Sequence, residues 1–280
     1  MTSFGGPWTQ EKLEIIGSYL DAYTTALKDQ PFQLIYVDAF AGEGYWRPGS
    51  AYAAEDYGEF TELLHGSTTI ALNVQDRPFD RFVFIEKDDR RSQALDDLAR
   101  RHNERRIEVI PRDANDALPA FCESMGQFDR AVVFLDPFAT QVSWDTVAAI
   151  AQTKRIDCWI LFPLGAIARM MPRESSPPTA LRRQLDRVFG GREHWEAVYQ
   201  EPAQLSLFPT KPSLERATGS AQIADCYWKR LETVFEKVAP TSRTLRNSKN
   251  SPMFELFFAA GNASGAEIAV RIAGHILKHL

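Results

Sequence analysis

Short apolar runs alternate along this chain with longer stretches whose apolar positions recur every three or four residues. Leu34–Val37, the 81–88 segment closing on Glu86, Arg106–Ile110, Ala131–Leu135 and Ile156–Phe162 are the runs. They suit strands buried on both faces, as in a parallel sheet. Helical periodicity fills the gaps at Ser67–Asn73, with Ser67 as N-cap, and at Asp88–Asn103, Asn115–Met125 and Ser143–Thr153. Alternation of this kind predicts an α/β fold, a doubly wound and mostly parallel Rossmann-like sheet. Late in the chain, Ser242–Asn247 and Met253–Ala260 predict an antiparallel hairpin closed by residues 248–252. A helical insertion precedes it: it opens at Met171, runs as a helix through Val188 and breaks at Gly190-Gly191. The expected organisation is a core over 1–170, a helical cap over 171–238, and a hairpin and helix over 239–280 completing the sheet.

Chemistry enters at the strand ends. The first run breaks into Asp38-x-Phe40-x-Gly42-x-Gly44. This spacing differs from the G-x-G-x-x-G fingerprint, whose helix N-terminus holds a pyrophosphate. An acid there repels phosphate but accepts hydrogen bonds from an amino-acid ammonium, such as S-adenosylmethionine carries. The motif resembles motif I of class I methyltransferases. Glu86, ending the second strand, is placed to accept both ribose hydroxyls of an adenosine cofactor, and Asp113 with Ala114 to meet the adenine. Asp113 also reads as an ordinary helix N-cap. Ligands of open α/β sheets lie beyond the carboxyl ends of the strands, so these acids are expected to converge on one crevice.

The fourth strand runs into Asp136-Pro137-Phe138. Methyltransferases acting on exocyclic amines of bases carry Asp/Asn-Pro-Pro and an aromatic, the acid and a proline carbonyl holding the amine while the ring stacks on the base. One proline is missing here. Asp136, Pro137 and Phe138 keep that chemistry if the ring faces an extruded base. They lose it if the shortened loop draws Phe138 into the core.

More of the chain resembles the three-Cys-motif partner family, a class I methyltransferase-like group. The matching stretches are Tyr36-Val-Asp-Ala-Phe-Ala-Gly-Glu-Gly44, Gly66-Ser67 with Ala71-Leu72, Phe84-Ile-Glu86, Phe134-Leu-Asp-Pro-Phe138, Val142-Ser-Trp144, Ile156-Asp157 with Phe162-Pro163, and Phe254-Glu-Leu-Phe-Phe-Ala259. The resemblance implies a methyltransferase-like fold and a radical-SAM-like partner bearing three cysteines, with no established reaction.

Composition narrows the rest. Cys122, Cys158 and Cys226 are too far apart for a C-x-x-C metal or cluster site. Their odd number, with no signal peptide and no membrane-length apolar run, predicts a reducing cytoplasm. His275 and His279 are four apart, but two ligands seldom make a metal site. Among the aromatics, Trp8, Tyr45, Trp46 and Trp144 are candidates for the mouth of the site or for structural packing. The net charge is −5, and its basic share lies late. Arg182, Arg183 and Arg187 on one helix, with Arg243, Arg246 and Lys249 near the hairpin, are candidates for DNA or RNA phosphates or for a solvated basic face. Gln204, Leu205, Leu207 and Phe208 resemble the bacterial sliding-clamp pentapeptide; the alternative is a loop tucked onto its own core.

Overall fold

The structure, a computed structural model, describes residues 7–43, 66–74, 76–173, 175–200, 215–216 and 219–280. Through the first half of the chain, α1 (Pro7–Ala26), β1 (Gln33–Asp38), α2 (Ser67–Leu72), β2 (Arg81–Ile85), α3 (Asp89–Arg101), β3 (Ile107–Ile110), α4 (Ala114–Ser124), β4 (Asp129–Leu135), α5 (Trp144–Gln152) and β5 (Ile156–Phe162) alternate as expected. Then come α6 (Leu164–Met170), α7 (Thr179–Phe189), α8 (Arg192–Glu196), the paired two-residue strands β6 (Tyr199–Gln200) and β7 (Glu215–Arg216), and α9 (Ala221–Glu232). β8 (Lys237–Val238), β9 (Arg243–Arg246), β10 (Pro252–Ala260) and α10 (Ala266–His279) close the described chain.

The main sheet has the order β3-β2-β1-β4-β5-β10-β8, with β9 also on β10. Its first five strands are parallel and β10 is antiparallel to β5. From β1 the chain steps outward to β2 and β3, then returns to β4 on the other side. The order therefore reverses between β1 and β4, and the carboxyl ends of these strands bound a crevice.

Side chains alternate across a strand, so each apolar run feeds two cores. Val37, Val83, Ile85, Val133, Leu135 and Phe162 share one core with α4, α5 and the inserted helices. Tyr36, Phe82, Phe84, Phe134, Trp159 and Phe258 face the other, under α1, α2, α3 and α10. The insertion packs into the first core: the Tyr227 ring stacks 4.3 Å from that of Phe162, and Phe189 and Trp195 are buried. α7 stops at Gly190, whose φ of +79° suits glycine. A Cβ there would lie 2.3 Å from Trp144 Cδ1.

The late hairpin forms, with Asn247 Oδ1 accepting the N–H groups of Lys249 and Ser251 across its turn. Its first strand is β9, and a further short strand, β8, also lies against β10. β8 pairs with Ala259 and Ala260 at the far end of β10, so Lys237 and Val238 lie in the sheet and not in the cap. Two residues carry no readable period, and for that reason the strand escaped the pattern.

Asp157 on β5 is buried and accepts the Tyr19 hydroxyl at 2.8 Å. Burial pushes its carboxyl up to about 6, against opposing donation from Tyr19 and the Gly261 N–H. An unfolded chain ionises this group near its ordinary value of 3.8. Between those pH values the folded state holds a proton that the unfolded state has lost, so the contribution of Asp157 to stability falls as pH rises from about 4 to about 6. A two-unit difference corresponds to about 3 kcal/mol. Asp157→Asn is expected to flatten that slope relative to wild type in urea unfolding at pH 4.5 and 7.5. Parallel curves would refute the assignment.

Candidate cofactor and acceptor site

Asp38, at the end of β1, is fully buried. Its Oδ2 accepts the hydroxyls of Ser67 and of Tyr36, and its Oδ1 the Phe40 N–H at 3.3 Å. Burial raises its carboxyl to about 6, and Asp136 pushes the same way, while Ser67, Phe40 and Lys12 pull it down. This corrects two expectations. Asp38 does not stand open to an ammonium but anchors the turn from within. Ser67 is not the N-cap of α2, a place held by Gly66, because its hydroxyl is spent on Asp38. After Ala41 the chain turns through Gly42, at a φ of +62° that side chains other than glycine's adopt only with strain. Gly44, like Tyr45 and Trp46, lies outside the described residues.

Glu86 fastens that turn: its Oε2 accepts the Gly42 N–H at 3.1 Å and its Oε1 the Asp88 N–H at 2.9 Å. Arg91 Nη1 lies 3.9 Å from the same carboxylate. Asp113 is indeed the N-cap of α4, its Oδ1 accepting the N–H and Nδ2 of Asn115, while Oδ2 stands 3.6 Å from Lys87. Burial alone would raise its carboxyl, but donation from Asn115 and the charge of Lys87 outweigh it and hold it below its ordinary value. Capping does not remove Asp113 from the site. A shallow cleft is walled by Ala39, Phe40, Ile85, Glu86, Asp113 and Ala114, with Phe138, Lys87, Arg91, Arg112 and Gln141 completing the lining.

The residues fit an adenosine. An ionised carboxylate offers about four lone-pair sites, so Glu86, after its two backbone contacts, retains acceptors for a pair of hydroxyls. Asp113 Oδ2, 3.6 Å from Lys87, has a second lone pair for an amine, and Ala114 and Ile85 line the same cleft.

Beyond the switch point Asp136 binds Lys12 Nζ at 2.5 Å. Lys12 is only 6% exposed, its ammonium 5.5 Å from the Trp8 ring and 5.7 Å from that of Phe134. Phe138 is 56% exposed and Arg91 lies 5.7 Å from its ring. The loop has therefore not drawn Phe138 into the core. Ala139 turns the chain at a φ of +53°, and α7 holds the loop through Gln184 on Thr140 and Arg187 on the Gln141 carbonyl.

Four of the late basic residues have hydrogen-bond partners within the fold. Arg187 is engaged as described, Arg182 donates to the Pro177 carbonyl, Arg246 to that of Asn250, and Arg243 to Glu11 and the Leu280 carbonyl. Arg183 and Lys249 are exposed. Gln204, Leu205, Leu207 and Phe208 lie outside the described residues. Trp8 and Trp144 are buried structural aromatics. The cysteines are free, and among the described residues no three His, Cys, Asp or Glu side chains cluster for a metal. No described helix is long and apolar enough to cross a membrane.

No family model and no curated protein matches the chain. Solved structures do. Protein LPL1258 from Legionella pneumophila aligns over 94% of this chain and 90% of its own, with a TM-score of 0.51 at 14% identity. Trm1 from Pyrococcus horikoshii, solved with S-adenosyl-L-methionine, covers 95% of this chain and 58% of its own, with a TM-score of 0.49 at 11% identity. The N-terminal domain of EvdMO1, solved with SAH, covers 88% and 80%, with a TM-score of 0.37 at 12% identity. The chain shares its α/β fold with LPL1258, a mostly parallel central sheet flanked by helices.

Proposed function

We propose that this chain binds S-adenosylmethionine in the Glu86–Asp113 cleft and methylates an amino group of a nucleic-acid base. One observation carries the reading: an exposed aromatic ring, Phe138, stands two residues after the strand-end carboxylate Asp136 at the sheet's switch point and lines the same cleft as Glu86 and Asp113. Glu86 would hold the ribose, Asp113 and Ala114 the adenine, and Phe40 with the Gly42 turn the remainder. The cofactor supplies an electrophilic methyl group on a sulfonium. Asp136 accepts a hydrogen bond from the acceptor amine, the Pro137 carbonyl takes a second, and Phe138 stacks on the base. Their work is orientation and exclusion of water more than proton transfer.

Calorimetric titration with S-adenosylmethionine and S-adenosylhomocysteine, followed by tritium transfer to DNA and RNA, tests it. Absence of binding would end the proposal. Tight binding without transfer would favour a second reading, a cofactor-holding adaptor, for which the missing proline and the Lys12 contact on Asp136 both speak. The three-Cys-motif resemblance extends either reading to a radical-SAM-like partner, testable by co-purification, and sliding-clamp binding through Gln204, Leu205, Leu207 and Phe208 is testable by the same route.

Phe138→Ala gives a sharper check. An exposed ring contributes little to stability, so the melt is expected to move by less than about 0.5 kcal/mol. Affinity for single-stranded acceptor is expected to fall by about 1–3 kcal/mol, the worth of one base stack. Equal affinities of variant and wild type in a fluorescence titration would remove Phe138 from the acceptor site.

A further inference from the structure

Toward the β10 side of the sheet a second, open cavity lies between α9 and the β9–β10 hairpin. Glu255 lies among its walls and is 5% exposed. Its two oxygens accept the hydroxyls of Ser242 and Thr244, and among the described residues it makes no ion pair. Buried carboxylates are ordinarily neutralised by a cation. Here the hydroxyl protons are turned toward Glu255, which leaves oxygen lone pairs for the cavity. Trp228, Phe257 and Leu164 supply apolar wall, and Asp225 adds a second carboxylate at the mouth, itself 2.8 Å from Lys229. Arg246, the basic residue among the described lining, directs a guanidinium nitrogen to the Asn250 carbonyl at 3.0 Å.

The Glu255 strand stands four spacings from that of Glu86, about 19 Å across the sheet, so this pocket is not the cofactor cleft. Its lining is also different: Glu255 with the Ser242 and Thr244 hydroxyls, the Trp228 indole and, among the described residues, a single base, Arg246.

We propose that this cavity binds an alkylguanidinium or alkylammonium group, its charge against Glu255 and its stem along Trp228. The group has two sources, a free small cation or an arginine or lysine side chain of a polypeptide.

Calorimetric titration of the full chain with agmatine is the test, with n-pentanol as the uncharged control and a capped Gly-Arg-Gly peptide as the polypeptide arm. Saturable one-to-one binding of agmatine or the peptide, absent for pentanol, is expected. Tighter binding of the peptide assigns the site to a polypeptide, and tighter binding of agmatine to a small molecule. Glu255→Gln, which keeps an acceptor for the hydroxyls, is expected to weaken binding at least about tenfold, as loss of a charged hydrogen bond does. Ala221→Leu narrows the mouth from an exposed helical position and is expected to weaken it comparably without touching Glu255, while Glu86→Gln leaves it unchanged. Failure of both cationic probes to saturate at roughly millimolar concentration, or undiminished binding in a folded Glu255→Gln protein, overturns the proposal.

Discussion

Glu86→Ala is expected to lose more than about a hundredfold in S-adenosylmethionine affinity, and to lose stability as well. Two hydroxyl donors to a carboxylate are worth about 1.5–3 kcal/mol each, and removing both acceptors forfeits both. The structure adds a second cost. The Gly42 and Asp88 N–H groups end on this carboxylate at 3.1 and 2.9 Å. Asp88 is the residue that caps α3, accepting the N–H groups of Arg90 and Arg91, so losing Glu86 loosens the glycine turn and the start of a helix together. Each stranded donor costs about 1–3 kcal/mol where water cannot replace the acceptor. Glu86→Gln separates the two effects, since it keeps one oxygen in place and most of the packing. It is expected to bind the cofactor about 10- to 100-fold more weakly with a smaller fall in the urea midpoint. Unaltered affinity in that variant would remove Glu86 from the ribose site.

Glu86 was legible because its position needs only two facts, a buried run and an acid just past it. The same holds for Asp113 and Phe138. Lys87 and Arg112 also stand beside strand ends and line the cleft. Reading only the acids missed them, although with Arg91 they place three bases beside Glu86 and Asp113 in the lining. Lys12 left a fainter mark. It interrupts the apolar stripe Trp8, Ile15, Ile16, Tyr19, Tyr23 at helical spacing, and a lysine on a buried face needs an acid opposite. Nothing local says which acid, for Asp136 is 124 residues away. The burial of Asp38 was equally out of reach, since it depends on Tyr36 and Ser67 closing over it.

The second large effect belongs to Asp136 and Lys12 together. Asp136→Asn is expected to lower single-turnover methyl transfer by about 10²–10³-fold, the loss seen when one preorganised polar contact to a reacting group is removed. Cofactor affinity is expected to stay as it was, because Asp136 does not line the adenosine cleft. Lys12→Met acts through the carboxylate: it frees Asp136 to rotate away from the acceptor and removes one of the charges that hold Asp38 down. A buried ammonium facing an acid that is itself 26% exposed is worth less than the 3–5 kcal/mol of a fully enclosed pair. A loss of about 1–3 kcal/mol in urea unfolding is therefore expected. In Lys12→Met/Asp136→Asn neither charge is stranded, so the double variant should be more stable than the sum of the singles predicts. Strict additivity would mean that the pair contributes nothing to the fold. Undiminished transfer in Asp136→Asn would remove that carboxylate from the acceptor site and leave its contact with Lys12 as its whole role.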